Sequence, residues 1–234
     1  MTTWNTPTAL VTGANRGIGR AVAAELLSRG ATVYAAARRP ETVDLPGATP
    51  VALDIADPAS VAAAAALATD VDLLVNNAGI STGATLLGDL DGVRAEMDVN
   101  FWGTLSMVRA FAPVLAANGG GTIVNVASAL SWFSFPGAGA YAVSKAANWN
   151  MSNALRFELA GQGTHVVSVH LGAADTDMMK GYEGPMTASA DVATRTLDGV
   201  AAGAFEVVVD DWSEMVKASL AKDPRDFYQQ HLTA

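Results

Sequence analysis

The chain has 234 residues, half of them apolar and 16% charged, which excludes an intrinsically disordered protein and fits a single domain over residues 1–234. A net charge of −9 leaves no basic surface for a nucleic-acid backbone, and the lack of cysteine excludes disulfides and thiolate metal sites and fits a cytoplasmic location. Three dispersed histidines predict no metal site, and neither a secretory signal nor a membrane span is expected.

Short β-branched runs alternate along the chain with alanine-rich amphipathic stretches. The sequence predicts strands at Thr8–Thr12, Ala31–Ala37, Val51–Asp54, Val71–Val75, Gly121–Ala127, His165–Val169 and Phe205–Val209. It predicts helices at Gly17–Arg29, Pro58–Ala68, Asp91–Ala117 with a break near Asn100, Ala140–Gly161 and Ala190–Ala202. Residues 210–234 are predicted as a helical tail. This order predicts an α/β fold with one doubly wound parallel sheet and helices on both faces.

A glycine-rich turn joins the first predicted strand to the first predicted helix. Gly13, Gly17 and Gly19 lie within Thr12–Gly19, in the spacing G-x-x-x-G-x-G. Without side chains the backbone can approach a pyrophosphate closely, and the helix N-terminus supplies N–H donors. The turn therefore predicts a dinucleotide site, although the same spacing also fits a strand-to-helix turn without a ligand.

A tyrosine and a lysine lie four residues apart on the predicted helix Ala140–Gly161, so Tyr141 and Lys145 share one face. An ammonium group lowers the pKa of a nearby phenol, which makes such a pair suitable for acid–base chemistry near neutral pH. Ser128 follows the fifth predicted strand and Asn76–Gly79 ends the fourth. Because the carboxyl ends of parallel strands meet at one edge, we expect all of them to face the cleft beside the glycine turn.

In their order along the chain, these motifs resemble those of the single-domain short-chain dehydrogenase/reductase family, whose fold is Rossmann-like. The resemblance covers about residues 8–180. It rests on Thr12–Gly19, Asp54, Asn76–Gly79, Asn100, Ser128, Tyr141, Lys145 and Leu171–Met178. One departure is Leu171, because the family usually has a proline before the glycine that is Gly172 here.

The resemblance implies a role for each of four catalytic residues. Tyr141 would protonate the carbonyl oxygen of the substrate, and Lys145 would lower the pKa of Tyr141 and bind the nicotinamide ribose. Ser128 would polarise the carbonyl, and Asn100 would hold a water for proton return. Together with Tyr141 and Lys145, the residues implied to contact the cofactor are Gly13, Asn15, Arg16, Gly17, Ile18, Gly19, Arg38, Asp54, Ile55, Asn76, Ala78, Gly79, Gly172, Ala174 and Thr176.

The end of the second predicted strand indicates which dinucleotide is used. Enzymes of this fold that use NAD place an acidic side chain there to bind the ribose hydroxyls, whereas this chain has Ala37 followed by Arg38 and Arg39. Arg16 lies in the glycine turn and would approach the same phosphate. Since guanidinium groups bind a 2′-phosphate well, the sequence predicts NADP(H). The alternative is that Arg38 and Arg39 are ordinary solvated charges.

The resulting functional expectation is a reversible NADPH-dependent reductase of ketones or aldehydes, acting on a hydrophobic or aryl ketone or keto ester. The alternative is a non-catalytic NADP-binding sensor on the same fold. Six side chains are expected to line an apolar substrate pocket, and core packing is the alternative interpretation for all of them. They are Trp132, Phe133, Phe135, Met178, Met179 and Tyr182.

The sequence also suggests how the chain assembles and where three further side chains lie. We expect a homodimer or homotetramer with no nucleic-acid or membrane partner. Trp149 and Phe157 are interpreted as subunit-interface residues, with core packing as the alternative. His170 is interpreted as a packed residue at a strand end, with contact to the cofactor or substrate as the alternative.

Overall fold

The computed structural model describes residues 6–232, so residues 1–5, 233 and 234 of the predicted domain lie outside the described part of the chain. Its strands form one 7-stranded sheet in the order β3-β2-β1-β4-β5-β6-β7, and every pairing is parallel. The strands are β1 (Thr8–Thr12), β2 (Thr32–Ala37), β3 (Thr49–Ala52), β4 (Leu73–Asn76), β5 (Thr122–Val126), β6 (His165–His170) and β7 (Glu206–Val208). The predicted doubly wound α/β fold is confirmed.

Helices connect the strands on both faces of the sheet. They are α1 (Gly17–Ser28), α2 (Pro58–Leu67), α3 (Leu90–Met97), α4 (Thr104–Ala117), α5 (Gly139–Glu158), α6 (Ser189–Ala201), α7 (Asp211–Ser219) and α8 (Pro224–Leu232). Within residues 6–232, none of these helices combines the length and the apolarity that crossing a bilayer requires.

The long helix predicted at Asp91–Ala117 is divided by a π-helical segment, Asp98–Gly103, which separates α3 from α4. The predicted break near Asn100 is therefore confirmed, and Asn100 lies inside the wide turn. Such π-helical turns inside α-helices occur frequently at functional sites.

The strand order places a crevice at the centre of the sheet. From β1 the chain proceeds to β2 and β3 on one side, then crosses back to β4 on the other side of β1. In open parallel sheets, ligands bind outside the carboxyl ends of the strands at the point where the connections diverge. The loops after β1 and β4 flank that point, and they carry the glycine turn and Asn76–Gly79.

The core consists of two apolar layers, one on each face of the sheet. On one face, Val22 and Leu26 of α1 pack with Val192 and Leu197 of α6. The other layer contains residues of α2, α4 and α5, with Phe111 of α4 fully buried in it. Because both faces are covered, the strands are continuous apolar runs and not alternating ones.

A third, smaller cluster joins the loop after β5 to the C-terminal helices. The Phe133 ring lies 4.4 Å from the Phe227 ring and 5.3 Å from the Tyr228 ring, measured between centroids. Trp132 and Phe133 are only 9% and 5% exposed, and Val216 of α7 is buried with them. This corrects the expectation that Trp132 and Phe133 form an open substrate wall, since α7 and α8 supply aromatic and apolar partners that remove both rings from water.

The two aromatic residues of α5 that were interpreted as interface residues differ in their surroundings. The indole Nε1 of Trp149 donates a hydrogen bond to Glu206 Oε1 at 2.7 Å, and the ring packs edge-on against Trp132. The core-packing alternative therefore applies to Trp149. Phe157 is 86% exposed, and its place in a subunit interface stays a prediction.

Candidate active site

The glycine turn has a backbone that only glycine adopts readily. Gly13 and Gly17 have φ angles of +65° and +53°, and a Cβ on Gly19 would lie 2.3 Å from the carbonyl oxygen of Gly13. Helix α1 begins directly after Arg16, whose side chain makes no capping hydrogen bond. The first turn of α1 therefore presents backbone N–H groups that no side chain caps, in a cradle that would suit an anion.

Two polar side chains hold this cradle in place, and neither was predicted to have a role in the site. The hydroxyl oxygen of Thr12 accepts hydrogen bonds from the backbone N–H groups of Asn77 and Ala78, each at 3.0 Å. Asn77 Nδ2 in turn donates to the carbonyl oxygen of Thr12 at 3.0 Å. These bonds join the ends of β1 and β4. The signal available in the sequence is a polar residue at the end of each strand.

A cavity of about 380 Å³ lies beside the glycine turn, lined by Asn15, Arg16, Arg38, Arg39 and Thr42. Three guanidinium groups therefore surround one space, and no acidic side chain lines it. Asn15 Nδ2 donates to Thr42 Oγ1 at 3.0 Å, which fixes one wall. The structure thus brings together the three arginines that the sequence predicts to lie near the 2′-phosphate of NADP(H).

Among the remaining residues implied to contact the cofactor, several have side chains occupied elsewhere. Ile18 packs against the core, and buried Ile55 lies against Gly103, where a Cβ would approach it to 2.9 Å. Asp54 is half-buried, and its Oδ1 accepts a hydrogen bond from Ala56 N at 3.0 Å. Ala174 is buried.

The side chain of Asn76 is held within the sheet, and the contact of this residue with the adenosine side of the cofactor stays a prediction. Its Nδ2 donates a hydrogen bond to Asn125 Oδ1 of the neighbouring strand at 2.9 Å, and the residue is 4% exposed. As the last residue of β4, Asn76 is still part of the sheet, so its amide is held between two strands and away from the cleft.

The loop after β6 closes the other side of the cleft. A Cβ on Gly17 would lie 3.0 Å from Cγ2 of Thr176, so the two loops approach each other closely. The backbone N–H of Gly172 donates to Asp210 Oδ2 at 2.7 Å. Oδ1 of the same carboxylate accepts hydrogen bonds from the backbone N–H and the hydroxyl of Ser213 and thereby caps α7. Asp210 therefore connects the loop to the C-terminal helices.

The four residues predicted to be catalytic lie close together at the carboxyl edge of the sheet. The side chain of Ser128 lies near enough to the Tyr141 hydroxyl to act on its pKa, which it lowers. Lys145 Nζ lies 5.6 Å from the centroid of the Tyr141 ring and donates to the Val126 carbonyl oxygen at 2.8 Å. Nδ2 of buried Asn100 donates to Ile80 O and to Ser144 Oγ, each at 2.9 Å.

Gly79 lies at the meeting point of these elements. A Cβ on Gly79 would lie 3.0 Å from Asn100 Oδ1 and 3.6 Å from Lys145 Nζ. The absence of a side chain there lets α5 and the π-helical segment converge on the loop that follows β4.

Burial is the main cause of the shifts in the pKa values of Tyr141 and Lys145. It raises the pKa of Tyr141 to about 12, although the nearby side chain of Ser128 acts in the opposite direction. It lowers the pKa of Lys145 to about 8. Desolvation disfavours phenolate and ammonium alike, and the role of Lys145 in lowering the pKa of Tyr141, which the resemblance implies, stays a prediction. At pH 7 Tyr141 is a neutral phenol, which can donate a proton to an oxygen atom.

His170 supports the backbone of the serine. Its Nδ1 donates to the carbonyl oxygen of Ser128 at 3.0 Å, its Nε2 lies 3.1 Å from Ser168 Oγ, and its ring stacks on Trp132 at 4.0 Å. Burial lowers the pKa of His170 to about 4, so the ring is neutral at pH 7. The interpretation of His170 as a packed residue is confirmed.

The other candidate pocket residues lie in the two loops beyond Ser128 and Thr176. Phe135, Met178 and Tyr182 are 48%, 49% and 47% exposed, and Met179 is half-buried. These side chains remain available to an apolar ligand, in contrast to Trp132 and Phe133.

The family model, two curated relatives and a solved structure all link this chain to dehydrogenases or reductases. The family model for short chain dehydrogenases matches residues 7–185. The short-chain dehydrogenase ptmH of Penicillium ochrochloron is 40% identical over 181 residues, which cover 72% of this chain and 66% of that protein. The NADPH-dependent 1-acyldihydroxyacetone phosphate reductase of Schizosaccharomyces pombe is 37% identical over 191 residues, covering 77% of this chain and 64% of that protein. The chain thus spans about two thirds of the length of these curated relatives.

A solved structure is similar over nearly the full length of both chains. It is a short chain dehydrogenase from Burkholderia cenocepacia in complex with NADP, with a TM-score of 0.93 and 38% sequence identity, and the match covers 97% of this chain and 98% of that one.

Proposed function

Since the chain belongs to the short-chain dehydrogenase family, we propose that it is an NADPH-dependent oxidoreductase. It reduces the carbonyl group of a hydrophobic or aryl ketone, keto ester or aldehyde to an alcohol, in a reversible reaction. The observation that carries the proposal is the cavity formed by Arg16, Arg38 and Arg39 beside an uncapped helix N-terminus, at the same sheet edge as Tyr141.

The residues present fit a phosphorylated dinucleotide. The cradle formed by Gly13, Gly17 and Gly19 leaves space that side chains would fill, and the first turn of α1 offers N–H groups to a pyrophosphate. A 2′-phosphate carries close to two negative charges, which match the guanidinium groups of the cavity. The NADP bound to the similar Burkholderia protein and the NADPH dependence in the name of the Schizosaccharomyces relative also support this choice.

NADPH, held by the glycine turn and the cavity of Arg16, Arg38 and Arg39, would supply the hydride for the carbonyl carbon. Tyr141 donates its hydroxyl proton to the carbonyl oxygen, which becomes the alcohol, and the Ser128 hydroxyl holds that oxygen in place. Lys145 supplies an N–H donor beside the Tyr141 ring for the nicotinamide ribose, and buried Asn100 fixes the loop at Ile80. In the reverse direction the phenolate of Tyr141 accepts the proton.

The rate of alcohol oxidation is expected to rise with pH from pH 7 upward, because the reverse reaction requires the phenolate. Burial raises the pKa of Tyr141 to about 12, so the phenolate is scarce at pH 7 and increases about tenfold for each pH unit. The measurement is kcat for oxidation between about pH 7 and pH 10 at saturating dinucleotide, with reduction followed in parallel. An oxidation rate that falls over this range would contradict the assignment of Tyr141 as the base.

The substrate class is proposed from the two loops beside the cleft. Phe135, Met178 and Tyr182 present exposed apolar surface there, and an apolar pocket gains little from the hydroxyl groups of a polyol. The test is a panel of aryl ketones, keto esters, aldehydes and sugars assayed by nicotinamide absorbance with NADPH and with NADH. A clear preference for sugars overturns the substrate class. Tight NADPH binding without turnover of any carbonyl would favour the alternative, a non-catalytic NADP-binding protein.

Replacing Asp177 by asparagine is expected to strengthen NADPH binding. Arg16 Nη1 forms an ion pair with Asp177 Oδ2 at 2.9 Å, and this carboxylate competes with a 2′-phosphate for the guanidinium. Both side chains are largely exposed, so the expected gain is modest, about two- to fivefold in Kd, with little change for NADH. The measurement is calorimetric titration, with Asp175→Asn as the matched control on the same loop. Weaker NADPH binding by Asp177→Asn would instead mean that the ion pair holds the loop for the cofactor.

A further inference from the structure

Helix α7 carries a large aromatic side chain that the proposed mechanism does not use. Trp212, in the first turn of α7, is 40% exposed. The family model matches residues 7–185, so α7 lies outside that part of the chain. Exposed apolar surface beside a cleft often marks a ligand site, and the contacts of this ring show what it adjoins.

The Trp212 ring lies against the loop that closes the cleft. A Cβ on Gly172 would lie 3.2 Å from Cε3 of Trp212, so the indole packs on the backbone of that loop. The carbonyl oxygen of Leu171, the residue before Gly172, accepts a hydrogen bond from the backbone N–H of Ala129 at 2.9 Å. Ala129 directly follows Ser128, so the loop that supports the indole is bonded to the segment that carries the proposed carbonyl-binding serine.

Phe133 links Trp212 to a residue that is already expected to line the substrate pocket. The Phe133 ring packs edge-on against the Trp212 ring and against the Phe135 ring, with centroids 6.2 Å apart in each pair. Phe133 itself is buried, whereas Phe135 is 48% exposed. Trp212 and Phe135 thus present exposed aromatic surface from one cluster, beside the loop that follows Ser128.

Helix α7 is fixed to the body of the protein, so the indole is held in place. Asp210 caps the helix, and Val216 is buried in the aromatic cluster. Lys217 forms an ion pair with Glu206 of β7. A side chain on a rigidly held element loses little conformational entropy when a ligand packs against it, which favours a role in binding.

We propose that Trp212 is a specificity-determining residue whose indole forms a wall of the substrate site and favours a carbonyl substrate that carries a planar aromatic group. This inference rests on the proposed function and deepens it, because it selects aryl ketones from the hydrophobic substrates considered there. An indole stacks on an aryl ring more favourably than on a saturated group of the same size.

The decisive variant is Trp212→Ala, assayed with acetophenone and cyclohexyl methyl ketone, which have the same carbon skeleton and differ in the aromaticity of the ring. The ratio of kcat/KM for acetophenone to that for the saturated ketone should fall about fivefold, mainly through a higher KM for acetophenone. Trp212→Phe keeps an aromatic ring and should restore most of the wild-type ratio. Leu220→Ala, which removes an exposed apolar side chain at the other end of α7, is the matched control and should leave the ratio unchanged.

The outcomes separate this inference from the proposed function. A ratio that Trp212→Ala leaves at the wild-type value overturns the inference. So does an equal loss for both ketones together with weaker NADPH binding, since the indole would then only support the Gly172 loop. If Trp212→Ala does not fold, Trp212→Leu gives the same test, because it keeps an apolar side chain without a planar ring. A wild-type protein that reduces no carbonyl compound at all overturns the proposed function, and with it the role of Trp212.

Discussion

Replacing Tyr141 by phenylalanine is expected to lower the rate of carbonyl reduction by about 10²–10⁴-fold. The substitution keeps the ring beside Lys145 and removes only the hydroxyl, which lies near Ser128. The proton donor is therefore lost while the packing of α5 is retained. The measurement is kcat at saturating NADPH on the best substrate of the panel, together with the Kd of NADPH, which should change little.

The matched control for this variant is Tyr34→Phe. The hydroxyl of Tyr34 on β2 donates to Asp70, which precedes β4 at the amino-terminal edge of the sheet, away from the cleft. Its loss should leave kcat unchanged. If Tyr141→Phe also retained the wild-type rate, another group would have to deliver the proton, and the assignment of the acid would be wrong.

Replacing Arg38 by alanine is expected to weaken NADPH binding about tenfold to a hundredfold and to leave NADH binding nearly unchanged. Arg38 lines the cavity at the end of β2, and a charge-assisted hydrogen bond to a phosphate has no counterpart in a ribose hydroxyl. Calorimetric titration with both dinucleotides measures the effect. Arg109→Ala, which removes an exposed arginine of α4, is the matched control.

The complementary variant is Ala37→Asp, which introduces a carboxylate at the end of β2. It should repel a 2′-phosphate and accept hydrogen bonds from ribose hydroxyls, so the ratio of kcat/KM for NADPH to that for NADH should fall. Equal kcat/KM values for the two dinucleotides in the unmodified protein would contradict the proposed preference for NADPH.

The fold and the position of the site could be predicted because their determinants are local. Each strand is a short apolar run, and the polar motif that follows it can be assigned to the carboxyl edge without knowledge of packing. Ser128, Tyr141 and Asn100 lie on three separate elements, yet the alternation of strands and helices was sufficient to bring them together. The break at Asn100 was also visible, although its π-helical geometry was not.

The differences between the predictions from the sequence and the structure arise from contacts between distant parts of the chain. Phe133 packs against Phe227 and Tyr228 of α8, and Trp132 is buried in the same cluster. Nothing in the sequence near the loop after β5 indicates that α8 will cover it. Glu96 of α3 is fully buried, although its helix contains several charged residues and the sequence around it gives no sign of burial. The pKa of Tyr141 depends on how much water the folded site excludes, which the spacing between Tyr141 and Lys145 does not reveal.

Asp210 makes the end of the fold and the cofactor loop thermodynamically interdependent. One carboxylate caps α7 through Ser213 and accepts the backbone N–H of Gly172, so neither segment keeps its hydrogen bonds if the other rearranges. In the proposed function, free energy that a dinucleotide contributes by binding the Gly172 loop would be shared with α7, and linkage requires such an effect to be reciprocal. The C-terminal helices, far along the chain from the glycine turn, are in this sense part of the binding equilibrium.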